Sequence, residues 1–144
     1  MALADYQPER VDIPFKGGSF QVKGLSLDDV SVLMKHHLTD MDELLELYSR
    51  NVSQDIAVAA TAQYAVTLVR EAPALVANVL ALAAEEPDSV DNARRLPIPT
   101  QIEALKVIGR LTFEEAGGAK KFFESLKDLA MRVRPPLAMT DSPT

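Results

Sequence analysis

The chain has 144 residues, enough for one domain with a core of its own. Apolar residues make up 47% and charged residues 25%, a globular balance, and a formal charge of -6 argues against nucleic acid or an anionic membrane as partner. There is no cysteine, so disulfides, thiol catalysis and cysteine-ligated zinc or iron–sulfur clusters are excluded.

Residues 1–10, MALADYQPER, show no basic region leading into an apolar run, so they read as a flexible N-terminus and not as a signal peptide. Residues 11–25 predict a β-hairpin. Val11, Ile13 and Phe15 alternate with polar residues or proline, and so do Phe20 and Val22 after the double glycine. A two-residue turn at Gly17 and Gly18 would set Phe15 opposite Phe20, Ile13 opposite Val22 and Asp12 opposite Lys23. Pro14 cannot donate to a ladder and assigns its strand to an edge.

From residue 26 to 134 the pattern is helical and predicts one globular unit with the hairpin. Ser26 is a good N-cap, with Asp28 and Asp29 in the first turn. Leu27, Val30, Leu33, Met34, His37 and Leu38 then share one arc. A second helix starts near Thr39 or Asp40 and carries Leu44, Leu45, Leu47 and Tyr48. Ser53 caps a third, from Gln54 to about Ala72, apolar on most sides and therefore expected at the centre. Pro73 opens a fourth, in which Ala77, Ala81 and Ala84 allow close approach of neighbours. The long apolar stretch at residues 56–84 is broken by Arg70, Glu71 and Pro73, short of the roughly 20 continuous apolar residues a membrane span needs.

Pro87, Pro97 and Pro99 punctuate the next segment around a short helical turn at residues 88–95. Thr100 would cap a fifth helix with Ile102, Leu105, Ile108 and Thr112 on one face, ended by Gly117 and Gly118. A last helix covers residues 119–133, with Phe122, Leu126, Leu129, Ala130 and Val133 inward. The proline-rich stretch at residues 135–144 reads as a disordered tail. The predicted class is mostly α, an N-terminal β-hairpin packed on a bundle of about six helices. Charge is uneven. Six acids lie in residues 26–50 and five bases in residues 119–134, and such segments can pair within the chain, between copies or with a partner.

No motif supplies chemistry. Gly17 and Gly18 lead into a strand, so they make a turn and not a phosphate loop. Gly117 and Gly118 precede Lys120 and Lys121, which read as a helix stop beside a basic face. His36 and His37 are adjacent on a helix and point about 100° apart, so they do not converge on a metal. His37 is expected partly buried with a hydrogen bond, and His36 exposed. The acids of DMDELLE lack the glycine and the later glutamate of a calcium loop. No catalytic, cofactor or metal residue is therefore assigned, and an isolated hairpin needs a surface to lie on. That points to an interaction protein.

The segment VDIPFKGGSFQVKGLSLDDVSVLMKHH, then a helical body, then LPIPTQIEALKVIGRLTFEEAGGAKKFFESL and a loose tail, resembles the tail assembly chaperones of long-tailed bacteriophages, over roughly residues 11–126. Genes for such proteins typically lie just before that of the tape measure protein. The resemblance implies a small helical protein of the host cytoplasm, with no catalytic residues and no cofactor. It implies a protein that coats the tape measure protein, helps recruit tail tube subunits, and is absent from the finished virion. It also implies a longer form made by ribosomal frameshifting, and leaves room for a homo-oligomer. Candidate partner contacts are Phe15 and Phe20 of the hairpin, Ala77 and Ala81 of the alanine-rich helix, and Lys120 and Lys121 of the basic one. The alternatives are a tail completion or connector protein that stays in the virion, and a small enzyme.

Overall fold

The computed structural model describes residues 3–50 and 58–133. Two antiparallel strands, β1 (Arg10–Phe15) and β2 (Gly18–Lys23), come first. Seven α-helices follow among the described residues: α1 (Leu27–His36), α2 (Leu38–Arg50), α3 (Val58–Glu71), α4 (Pro73–Ala83), α5 (Val90–Arg94), α6 (Ile98–Glu115) and α7 (Ala119–Val133). Single 3-10 turns stand at Leu3–Asp5 and Pro87–Ser89. The mostly α class with an N-terminal hairpin is as the pattern predicts. The Ser53 cap, the side chains of Leu44, Leu45, Leu47, Tyr48, Ala130 and Val133, and the tail at residues 135–144 lie outside what is described.

The hairpin forms, in a register two residues from the expected one. Ile13 stands opposite Phe20, Val11 opposite Val22, Asp12 opposite Gln21 and Phe15 opposite Gly18. The turn is therefore Lys16-Gly17. Gly17 has φ 101° and Gly18 is already a strand residue without positive φ. A shift of two keeps every side chain on its face, because strand faces repeat every second residue. Ile13 and Val22 are accordingly both buried. Lys23 faces Arg10 across the ladder, and its ammonium pairs with Asp29 at 2.9 Å instead of with Asp12.

Ser26 caps α1 as expected. Its hydroxyl accepts from the Asp29 N–H at 3.1 Å, and the Asp29 carboxylate accepts from the Ser26 N–H at 3.0 Å, a closed capping box. Val30, Leu33 and Met34 are buried, but Leu27 is 68% exposed. Helical side chains lean toward the N-terminus, so a residue at the first position overhangs the end of the bundle.

While the side chains of residues 58–64 in α3 lie outside what is described, helix α4 is a hub of the core. No charged residue falls between Pro73 and Ala83, and seven of its residues are buried, from Leu75 to Ala83. It packs against α1, α3, α5, α6 and β2. Within α3, Val66 is exposed and Leu68 and Val69 only partly buried. Helix α6 begins at Ile98, with Pro97 as its cap, and not at the predicted cap Thr100. Proline presets the backbone there and costs no hydrogen bond, since first-turn N–H groups have no helical partner.

Two matched endings shape the chain. At the end of α6 the Gly118 N–H donates to the Phe113 carbonyl and the Gly117 N–H to that of Glu114, a Schellman motif on two positive-φ glycines. At the end of α4 Glu86 and Glu85 make the same pair of bonds to Ala81 and Leu82, and Glu85 takes φ 61° without being glycine. The join between hairpin and helices is equally close. A Cβ on Gly24 would lie 2.9 Å from the Thr112 backbone nitrogen. Beside it the Leu25 N–H donates to Thr112 Oγ1 at 2.9 Å, and that hydroxyl donates to the Ile108 carbonyl at 2.6 Å.

Helix α7 lies on α1, α2 and α6. Phe123, not its predicted neighbour Phe122, is the buried ring, and both join Phe113 in a cluster with centroids 5.2–5.8 Å apart. A half-open apolar hollow of about 100 Å³ lies between the helices, bordered by Leu33, Leu75, Leu105, Ile108 and Phe123. Among the described residues no helix is long and apolar enough to cross a membrane.

Candidate docking groove

The hairpin's register decides where its aromatic rings go. Gly18 stands opposite Phe15 and brings no side chain, so the Phe15 ring leans over it; a Cβ there would touch Phe15 Cζ at 3.4 Å. The ring reaches Phe20 diagonally, at a centroid distance of 6.0 Å, and stays 38% exposed. The two rings form one wall of an open groove of about 530 Å³.

The floor is the end of α4, where Leu80, Ala81 and Ala84 line the space. The turn at Glu85 then reverses the chain, so that α5 and the segment after it return alongside. Ala93, Leu96 and Pro97 make the opposite wall. Two interactions hold these parts. Arg10 Nη2 meets Glu85 Oε1 at 2.8 Å, tying β1 to the end of α4. The Gln101 amide, almost fully buried, donates to the carbonyls of Leu96 at 2.9 Å and Arg94 at 3.4 Å. A buried amide bonded to two loop carbonyls fixes a segment that has no helix or ladder of its own.

Of the predicted contact residues, Phe15, Phe20 and Ala81 come together in this groove. Ala77 does not: it is 1% exposed, in the middle of the core. Lys120 and Lys121 are exposed at the start of α7 and line no part of the groove. Leu96, which lines the groove, and Glu85 and Gln101, which hold its parts, were not singled out. The three prolines around residues 87–99 marked the wall as irregular, but nothing in the sequence announced the Gln101 amide.

The groove suits contact more than chemistry. Its exposed lining surface is mainly apolar, while Ser19, Ser89, Asn92, Lys16, Glu86 and Arg95 supply the polar and charged groups. Elsewhere His37 is half-buried with its Nε2 3.0 Å from the Asn78 amide, and His36 is exposed, as expected from their places on α1. Among the described residues no group of three histidines or carboxylates gathers as a metal site. A second hollow, of about 330 Å³, opens between the N-terminal segment and α7, bordered by Tyr6, Leu27 and Leu129. There Tyr6 donates to both carboxylate oxygens of Glu115, at 3.0 and 3.3 Å.

No curated protein and no solved structure matches the chain. A family model does, that of the pre-tape measure protein, over residues 1–142. A small, mostly helical body that offers an apolar groove is, by family, a phage tail-assembly protein: the chain belongs to the pre-tape measure protein family.

Proposed function

We propose that the protein is a tail assembly chaperone that binds the tape measure protein, keeps it soluble in the host cytoplasm, and leaves before the virion is complete. The observation that carries this reading is the apolar groove between the hairpin and the α4–α5 turn, in a chain of this family. A long helical protein destined for the inside of a tube exposes apolar stripes until the tube closes. A groove with an alanine floor and aromatic wall can cover such a stripe by the helix-in-groove mode. Many copies along one target need only weak contacts each, because the sites lie on one chain. The chaperone also helps recruit tail tube subunits, through the longer frameshifted product that the family resemblance implies.

Co-expression tests the reading directly. The tape measure protein should be soluble and co-purify with this chain. Insoluble tape measure in its presence, with no co-purification, would remove the proposal. Mass spectrometry of purified virions separates chaperone from resident part, since a connector or completion protein would be found in the particle.

A further inference from the structure

The rim of the groove carries two cations on opposite walls. Lys16 stands at the hairpin turn and Arg95 follows α5, and both line the groove and are exposed. Neither the Lys16 ammonium nor the Arg95 guanidinium has a hydrogen-bond or ion-pair partner among the described residues. One acid also lines the groove, Glu86, which accepts from the Ser89 hydroxyl at 3.1 Å and keeps its charge, so the rim carries two cations against one carboxylate. In a chain of formal charge -6, a groove lined by two cations on different elements and one carboxylate runs against the general surface.

Resting on the reading that the groove receives the tape measure protein, we propose that its occupant is an amphipathic helix whose apolar stripe is bordered by carboxylates. Ala81, Ala84 and Ala93 leave room for large apolar side chains to descend between Phe15 and Leu96. Stripe residues at helical spacing fill that depth. Acids on the two borders of the stripe then meet Lys16 on one side and Arg95 on the other. Charges placed this way select the partner and its orientation more than they add raw affinity. A second copy of this chain fits less well, since its acidic helix, α2, is packed on α1 and α7.

The test uses two labelled synthetic helices, one with a leucine stripe bordered by glutamates and one bordered by lysines. Binding is read by fluorescence anisotropy. The wild-type chain should prefer the glutamate peptide by about tenfold, the sum expected of two exposed ion pairs. K16E/R95E should reverse the preference, K16Q/R95Q should abolish it, and K120E/K121E should leave it unchanged. Thermal melting should be the same for K16E/R95E and K16Q/R95Q as for the wild type, and no lower for K120E/K121E, whose acids would sit in the first turn of α7. Equal binding of both peptides by the wild type overturns the proposal. So does an equal loss in K120E/K121E, which would mean net charge and not the rim. A wild-type dimer that K16E/R95E makes monomeric also overturns it, in favour of a second copy. Co-expression separates this failure from that of the chaperone reading. If the wild type and K16E/R95E both solubilise the tape measure protein equally, the acidic borders are wrong and the chaperone stands. If the wild type does not solubilise it, the chaperone reading falls even where the peptide preference holds.

Discussion

Gly17 and Gly18 stand side by side for different reasons. Gly17 needs a positive φ of 101°, which an L-residue adopts only at a cost of about 1–2 kcal/mol. Gly18 has no such need, and a Cβ there meets only the Phe15 ring at 3.4 Å. Gly17→Ala should therefore lower unfolding stability by about 1 kcal/mol and Gly18→Ala by less than about 0.5 kcal/mol, read by denaturant melts. Equal losses would return the turn to Gly17-Gly18. Tyr6 gives a residue-scale expectation in pH. Its hydrogen bond to Glu115 raises the phenol above its ordinary value, with desolvation and the carboxylate's charge adding in the same direction. A raised value means that the folded chain favours the neutral phenol. The clasp's contribution is complete below the ordinary tyrosine range and is lost as pH rises through the raised value. Alkaline difference absorbance of wild type against Tyr6→Phe should show the late titration, and Glu115→Gln should bring it down.

Among the elements, the join of β2 to α6 leaves the least room. Gly24 touches the backbone of α6 and not the tip of a flexible side chain, so nothing nearby can turn aside. Gly24→Ala should cost about 1–3 kcal/mol, measured by thermal unfolding, as overpacking does in a close-packed core. This contact was invisible in the sequence, where nothing near Gly24 points to α6. The hairpin itself was half legible. Alternation fixed which residues face inward, and could not fix the register, because a slip of two residues preserves every face. The helices were legible where their ends carry local chemistry: the Ser26 box, Pro73, and the Gly117-Gly118 stop all act within a few residues. Thr100 misled because Pro97, three residues earlier, starts a helix equally well. The groove was legible in part for the same reason. Phe15, Phe20 and Ala81 stood out by type, whereas the roles of Gln101 and Leu96 depend on contacts that no short-range pattern encodes. Ala77 resembles Ala81 in sequence, yet one lies deep in the core and the other under the groove.

Across the molecule, the uneven charge finds an internal arrangement. The basic helix α7 packs on α1 and α2, which carry most of the acids of residues 26–50, so the two segments are neighbours in one chain. The cations of the groove rim lie apart from that arrangement. The α4 hub has one further consequence. The hollow of about 100 Å³ beside it is half open, yet its lining is almost wholly apolar, so water fills it poorly. Hydrostatic pressure should therefore be an effective denaturant of this chain, because unfolding lets water occupy the space that the helices leave empty. Xenon should act in the opposite sense: an apolar hollow bordered by leucine, isoleucine and phenylalanine favours the gas over water. High-pressure tryptophan-free fluorescence is served by its tyrosines, and the midpoint pressure should rise under xenon. A midpoint that xenon does not move would mean that the side chains close this space in solution, and that the hub is packed as tightly as the hairpin join.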